Sequence, residues 1–256
     1  MINAKDVTFI IPVKYDHPDR KENLELTLKF IHKYFDTNII IGEQGTMKFG
    51  IYNGEDYITF PYDEFHRTKM LNQMVLVSNT SIIVNWDADV LVNPEQLKLA
   101  FEVIRNGLAE FVYPYDGRFA KLNRKEWYPL LKRKLDLSLL EGCTFKGMYS
   151  TDKESVGGAI VFDKKSFIKA GMENEHFISH APEDVERFWR FNALGFKVER
   201  VNGPIYHMDH WCGPDSGHGN DFKIINRSEW RRVKNMSIQE LRDYISTWPW
   251  VPTIQK

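Results

Sequence analysis

The chain has 256 residues, 43% of them hydrophobic and 14% aromatic, which is enough apolar material for one large α/β domain or two small ones. Its 34 basic and 35 acidic residues give a net charge of -1, so no overall field attracts nucleic acid or an anionic membrane. With two cysteines, no signal-peptide pattern and no apolar run near the roughly 20 residues that span a bilayer, the sequence predicts a cytoplasmic protein without a transmembrane segment.

The first 110 residues or so alternate strand and helix patterns. Strand patterns occur in VTFIIPV, TNIIIGEQ, YITFPY, SIIVNW and AEFVYPY. A polar turn, KYDHPDRKEN, follows the first strand, and apolar residues at helical spacing occur in NLELTLKFIHKYF and RTKMLNQMVLVSN. Asn93 and Pro94 are typical of a helix start. Strands alternating with helices predict βαβ units and a mostly parallel sheet.

The second half is less regular. Residues 118–150 are basic and aromatic at first, and they interrupt the alternation like an insertion. The segment SVGGAIVFDKKSFIKAGM returns to a strand and a helix, and APEDVERFWRFNALGFKVERVN predicts a helix that ends at Gly195, then a strand. From about residue 211 a Gly/Pro-rich loop, WCGPDSGHGND, precedes a helix, SIQELRDYIS, and an aromatic end, TWPWVP.

Two carboxylates, Asp87 and Asp89, follow the apolar strand at residues 82–84. Ligands of open α/β sheets bind at the carboxyl ends of strands, and two hard oxygen donors there suit Mn²⁺ or Mg²⁺ holding a diphosphate. The alternative is an Asx-type turn with both acids solvated. A second candidate, IYHMDHW, supplies His207 and His210, which together with the acids would favour Mn²⁺. Taken singly, each histidine is better explained as a surface or core residue.

Two further motifs carry charge at helix starts. Glu183 and Asp184 follow Pro182, where acids complement the helix dipole or, alternatively, act as a general base. Arg67 and Lys69 in FHRTKMLNQ would clamp phosphates at a loop-to-helix junction, or simply begin a solvated helix.

In chain order, the segments FIIPVKYDHPDRKENLELTLKFI, FHRTKMLNQM, NWDADVLVNP, SVGGAIVFDKKSFIKAGMENEHF, APEDVERFWRFNALGFKVERV and HMDH resemble nucleotide-sugar-dependent glycosyltransferases of the GT-A fold. The resemblance is to the β-1,4-galactosyltransferase group and the galactosaminyltransferase halves of bacterial chondroitin-type polymerases. It implies a single α/β, Rossmann-like GT-A domain over residues 1–212, with a mostly parallel central sheet flanked by helices and an insertion at about 118–150. Residues 213–256 would form a lid loop and a C-terminal helical and aromatic extension packed on the same domain.

The resemblance also implies donor contacts. Pro12, Val13 and Lys14 would line the uridine and ribose pocket after the first strand. Gly157 and Gly158 match a Gly-Gly turn beside the donor sugar, where a larger side chain would block it.

Five positions match residues that bind the metal or the diphosphate in the family that the chain resembles. Asp87 and Asp89 match the D-x-D that binds the metal and the donor, and Arg67 would contact the diphosphate. His210 matches the metal-binding histidine of the family, and His207 stands where animal members carry a methionine ligand.

The acidic pair matches the residues that hold the acceptor, with Asp184 as the catalytic base and Glu183 beside it. One carboxylate base predicts inversion at the anomeric carbon. The implied activity is metal-dependent transfer of a hexose or N-acetylhexosamine from a UDP-sugar to a hydroxyl, on a saccharide or glycoconjugate, in polysaccharide biosynthesis. The family's Trp-Gly-Trp-Gly-Gly run is here FISHAP. Alternatives are transfer to modified nucleic-acid bases, suggested by the basic RKEWYPLLKRK, and a non-catalytic carbohydrate-binding GT-A protein.

Overall fold

The computed structural model describes residues 1–45, 50, 54–61, 64–126, 128–140, 155–180, 182–213 and 220–252. Strands and helices alternate, as the sequence predicts. The strands are β1 (Ile2–Lys14), β2 (Phe35–Gln44), β3 (Asp56–Phe60), β4 (Ile82–Trp86), β5 (Val90–Val92), β6 (Phe111–Tyr113), β7 (Phe119–Leu122), β8 (Ala159–Asp163), β9 (Val198–Arg200) and β10 (Ile205–Met208). The helices are α1 (Pro18–Tyr34), α2 (Arg67–Val77), α3 (Pro94–Arg105), α4 (Tyr128–Lys134), α5 (Lys164–Lys169), α6 (Glu183–Ala193), α7 (Lys223–Lys234) and α8 (Ile238–Ser246).

A seven-stranded sheet in the order β3-β2-β1-β4-β8-β6-β9 forms the centre of the molecule. Strands β3, β2, β1 and β4 are parallel to one another, and β9 is parallel to β6. Strand β8 runs antiparallel to both of its neighbours, β4 and β6. The predicted α/β class with a mostly parallel central sheet is therefore confirmed.

A second, three-stranded sheet in the order β5-β10-β7 was not predicted from the sequence. Strand β10 pairs antiparallel with β5 and parallel with β7. Strand β7 comes from the stretch predicted as an insertion, so part of that stretch is a strand of this second sheet. Helix α4 also belongs to this stretch, and the last residues of the stretch, 141–150, lie outside the described residues.

The central strands are almost wholly apolar because helices cover both faces of a parallel sheet. Residues 7–13 of β1 and all of β4 are buried. The aromatic rings of Phe9 and Trp86 meet edge to face at 5.5 Å between centroids, and Phe9 also contacts Phe101 of α3. Burial of this kind is the main source of folding free energy.

Helices α1 and α7 differ from the sequence prediction. The segment predicted as a polar turn contains the first turns of α1, which begins at Pro18 with His17 as its N-cap. Proline is well suited to the first helical position, because its missing N–H has no partner there in any case. Helix α7 was not predicted at all, since its sequence is mostly polar and only Asn226, Glu229 and Val233 are buried.

None of the helices that the structure describes is both long and apolar enough to cross a membrane.

One polar face of α1 holds the turn between β4 and β5. Thr27 Oγ1 donates to the backbone oxygen of Ala88 at 2.9 Å, and Asn23 Nδ2 donates to the backbone oxygen of Met208 at 3.2 Å. Both side chains are buried. Helix α1 therefore fixes the backbone between Asp87 and Asp89 and the backbone beside His207 with one row of side chains.

Replacement of Thr27 by Val is expected to lower the free energy of unfolding by about 1–3 kcal/mol, because it removes a donor from a buried carbonyl without changing the side-chain volume. Urea unfolding measures the change. The matched control is Thr37→Val: Thr37 donates to the oxygen of Val7, which also accepts a hydrogen bond from Asn38, so the loss should be smaller. Equal losses in both variants would contradict the assignment.

Candidate active site

A cavity of about 570 Å³ opens at the carboxyl ends of β1 and β4, where ligands of α/β sheets bind. The sequence analysis predicted thirteen site residues, and twelve of them line the cavity: Pro12, Val13, Lys14, Arg67, Asp87, Asp89, Gly157, Gly158, Glu183, Asp184, His207 and His210. Lys69 is not among the described residues that line the cavity. It follows Arg67 by two positions on α2, and such residues do not share a helix face.

Asp89, His207 and His210 form a cluster in which one possible ligand atom from each lies within 4.8 Å of the others. His210 Nε2 lies 3.0 Å from Asp89 Oδ2, and His207 Nε2 lies 3.6 Å from Asp89 Oδ1. The antiparallel pairing of β10 with β5 produces this proximity, and the N–H of Met208 donates to the oxygen of Asp89 at 2.8 Å.

The cluster fits a divalent cation by its donor chemistry. His210 Nδ1 lies 2.7 Å from the backbone oxygen of Trp211, which can only accept, so Nδ1 carries a proton. The lone pair of a neutral His210 is then on Nε2, the nitrogen that faces Asp89. One carboxylate with two imidazoles favours Mn²⁺ or another transition ion over Mg²⁺.

Asp87 takes a different partner from Asp89. Its Oδ1 accepts from Arg67 Nη2 at 2.7 Å, and its backbone N–H donates to the oxygen of Gly158 at 2.9 Å. Asp87 is not part of the possible cation-binding cluster among the described residues. That Asp87 also binds the metal stays a prediction.

Arg20 of α1 is a site residue that the sequence analysis missed. Its Nη1 donates to Asp89 Oδ2 at 2.9 Å, and its Nε lies 3.6 Å from Asp16 Oδ1. Burial alone would raise the pKa of Asp89, but His207, His210 and Arg20 lower it overall, so the carboxylate is ionised. A signal existed in the sequence: Arg20, Asn23 and Thr27 recur at i, i+3 and i+7, so these polar side chains share one face of α1.

The acidic pair begins α6. Asp184 Oδ1 accepts from Arg187 Nη2 at 2.7 Å and from Arg67 Nη1 at 3.4 Å. Arg187 is buried and also donates to Glu173 at 2.7 Å. Burial would raise the pKa of Asp184, but the two arginines lower it overall.

Glu183 has the opposite electrostatic character. Burial, and then repulsion from the Asp184 carboxylate, raise the pKa of Glu183 to about 7, although Arg67 opposes the shift. Arg67 is itself buried and lies near three carboxylates, those of Asp87, Glu183 and Asp184. These charges raise the pKa of Arg67 even though burial alone would lower it.

Gly157 and Gly158 lie so close to other side chains that neither position has space for a Cβ. A Cβ at Gly157 would lie 2.8 Å from Asp184 Oδ2, and one at Gly158 would lie 2.9 Å from Ile205. Gly158 also has φ +85°, a conformation that other residues rarely adopt. The structure thus places the Asp184 carboxylate, rather than open space, against Gly157.

The predicted lid is only partly described. The ring of Trp211 stacks on His17 at 5.4 Å between ring centroids, and the backbone N–H of Trp211 donates to Asp19 Oδ2 at 3.1 Å. Residues 214–219, the middle of the predicted lid loop, lie outside the described residues.

No protein-family model and no curated protein matches the chain. Among solved structures, the catalytic domain of Drosophila β1,4-galactosyltransferase 7 in complex with xylobiose matches with a TM-score of 0.50 and 14% identity, over 76% of this chain and 64% of that one. Glucosyl-3-phosphoglycerate synthase from Mycobacterium tuberculosis, in complex with Mn²⁺, UDP and glucosyl-3-phosphoglycerate, also matches with a TM-score of 0.50 and 14% identity, over 80% of this chain and 72% of that one.

The chain has the GT-A fold. At this level of identity the likeness concerns the fold, and the chain spans 64% of the length of the Drosophila structure. In this GT-A chain the possible cation-binding cluster and the acidic pair line the same cavity.

Asp89→Ala and His210→Ala are each expected to remove high-affinity Mn²⁺ binding, measured by titration calorimetry with MnCl₂ alone. Binding by the unsubstituted GT-A chain should weaken as the pH falls from about 7.5 to about 5.5, because protons compete for the imidazoles. The sign follows from His210, whose pKa Asp89 raises against the effect of burial.

The control variant is His32→Ala, which removes an exposed histidine of α1 that pairs with Glu55 away from the cavity. It should bind Mn²⁺ like the unsubstituted chain. Unchanged affinity in both cluster variants would exclude this cation site.

Proposed function

We propose that the protein is a metal-dependent glycosyltransferase that moves a hexose or N-acetylhexosamine from a UDP-sugar to a hydroxyl of a saccharide acceptor, with inversion. One observation carries the proposal: the possible cation-binding cluster and the acidic pair line one cavity at the carboxyl ends of β1 and β4 in a GT-A fold. The solved structures of similar fold support it, since one is named as a galactosyltransferase bound to xylobiose and the other contains Mn²⁺ and UDP.

On the donor side, the proposal assigns the cation to Asp89, His207 and His210, with Arg20 holding Asp89 in place. A bound divalent cation neutralises the charge that develops on the leaving diphosphate. Arg67 contributes a guanidinium that is fully charged at neutral pH and suited to phosphate oxygens.

The base of the proposed reaction is Asp184. Arg187 fixes Oδ1, which leaves Oδ2 directed at Gly157 in the cavity wall. As the acceptor hydroxyl attacks the anomeric carbon, its proton passes to Asp184, and the bond from that carbon to the diphosphate oxygen breaks. Attack opposite the leaving group gives inversion.

Glu183 has a different part in the proposal. With a pKa raised to about 7 by burial, Glu183 is a mixture of protonated and ionised forms at neutral pH. We assign Glu183 to acceptor binding. Its carboxyl group can donate a hydrogen bond to a sugar hydroxyl when protonated and accept one from it when ionised.

Asp184→Asn is expected to reduce transfer by about 10²–10⁴-fold, because an amide cannot accept the proton, while UDP binding with Mn²⁺ is retained. Glu183→Gln should reduce transfer less. Release of UDP from a panel of UDP-sugars with Mn²⁺ measures both, with and without candidate acceptors. The control, Glu175→Gln, alters a carboxylate that accepts from Asn72 and is outside the cavity lining, and should leave the rate unchanged.

The pH profile of kcat/KM distinguishes the two acids. With Mn²⁺ kept saturating at every pH and Asp184 as base, whose pKa is lowered, the rate should not fall steeply as the pH drops from about 8 to about 6. A rate that rises through pH 7 and loses this step in Glu183→Gln would instead assign the proton to Glu183, since the pKa of Glu183 is about 7.

Gly157→Ala is expected to reduce transfer at least about tenfold with little change in stability, because the new Cβ displaces the Asp184 carboxylate. A double-variant cycle tests the cause. In the Asp184→Asn background the same substitution should have almost no further effect on the rate. A full further loss there would mean that Gly157 acts through the donor rather than through Asp184.

A further inference from the structure

Helix α7 presents an outer face that nothing else in the described structure covers. This α7 outer face comprises Ile224, Ile225, Arg227, Arg231 and Lys234, all exposed. The two isoleucines are 78% and 58% exposed, unusually high values for aliphatic side chains. The opposite side of the helix is buried through Asn226, Glu229 and Val233.

The α7 outer face is positively charged although the whole chain is not. Five of the twelve residues of α7 are Lys or Arg. The single acidic residue of the helix, Glu229, points inward and accepts hydrogen bonds from Asn174 at 2.8 Å and from Tyr244 at 2.9 Å. No carboxylate of α7 therefore offsets the basic groups of the outer face.

The start of α7 and the residue Asn220 before it are hydrogen-bonded to the wall of the cavity. Asn226 Nδ2 donates to the backbone oxygen of Ile178 at 2.7 Å, and Asn220 Nδ2 donates to that of His180 at 3.1 Å. His180 lines the cavity, as do Glu183 and Asp184 just after it in sequence. The buried side of α7 therefore packs against the side of the cavity that holds the acidic pair, and the α7 outer face lies about one helix diameter, ~10 Å, further out.

We infer that the α7 outer face docks on the surface of an anionic lipid bilayer. Apolar side chains beside Lys and Arg on one helix face are the combination that binds such a surface, since the first enter the headgroup layer and the second attract anionic lipids. Nucleic acid would pair with the arginines but leave both isoleucines without an apolar partner. A second copy of the same face would bring like charges together.

The docking has a consequence for the acceptor, and this part rests on the proposed function. A bilayer at the α7 outer face would lie about one helix diameter, ~10 Å, from the cavity wall at residues 178–180, within reach of a headgroup that carries a saccharide. The acceptor class that fits this position is a saccharide linked to a lipid, presented at the membrane surface.

The test measures binding of the full chain to sedimenting vesicles of phosphatidylcholine with or without phosphatidylglycerol, at low and high salt. Binding is expected to anionic vesicles only and to weaken with salt. The double variants Arg227→Glu/Arg231→Glu and Ile224→Ser/Ile225→Ser should each reduce binding by about tenfold or more. The matched control is Lys132→Glu/Arg133→Glu on α4, an equally large charge change on another exposed helix, which should bind normally.

The inference is overturned if anionic vesicles do not bind, if the α4 control loses as much binding as the α7 variants, or if duplex DNA binds and vesicles do not. A dimer in size-exclusion chromatography that the isoleucine variant converts to a monomer would also overturn it. Urea unfolding of each variant must match the parent chain, and a variant that fails is replaced by the single substitution Arg231→Gln.

The two proposals fail separately. Vesicle binding with no UDP release from any donor would contradict the proposed glycosyltransferase activity but not the docking surface. Transfer to soluble saccharides without vesicle binding would contradict the docking surface but not the proposed glycosyltransferase activity.

Discussion

The hydrogen bond from the N–H of Met208 to the oxygen of Asp89, at 2.8 Å, joins two parts of the chain that are far apart in sequence. It extends the antiparallel pairing of β10 with β5 and brings two histidines beside the second acid of the D-x-D. Helix α1 supports both segments from behind through Asn23 and Thr27. The cluster Asp89, His207 and His210 thus depends on backbone geometry as much as on the identity of its side chains, as sites on rigid elements usually do.

Charge balance is the second constraint. Asp87, Glu183 and Asp184 lie close together at the cavity, and unpaired carboxylates in such a place would cost several kcal/mol each. Arg67 supplies one guanidinium to all three, and Arg187 supplies a second to Asp184 while it pairs with Glu173. Because Arg67 contacts both Asp87 and Asp184, the two halves of the cavity are electrostatically coupled.

The sequence predicted most of the central sheet because β1, β2, β4 and β8 contain apolar runs and the helices between them have apolar residues at helical spacing. It also placed most of the cavity lining, since residues at the carboxyl ends of parallel strands converge. The second sheet was missed because β5, β7 and β10 are short and distant in sequence, so no local pattern reveals their pairing. Arg20 was missed because Pro18 and its polar neighbours suggested a turn, whereas they begin α1. The different partners of Asp87 and Asp89 depend on tertiary contacts that spacing alone does not encode.

The C-terminal helices look like an addition to the GT-A sheet, yet their contacts reach the acidic pair. Trp248 lies against Arg190 of α6 at 5.2 Å, and Glu229 of α7 holds Asn174, the neighbour of Glu173. Arg190 in turn binds Glu186 at 2.7 Å and the backbone oxygen of Met172 at 2.8 Å. A proteolytic cut that released everything after residue 212 would therefore leave the sheet formed but would strip the support from α6. Such a nicked molecule should keep the cluster Asp89, His207 and His210, which α1 and β10 hold, while the acidic pair at the start of α6 loses its fixed position.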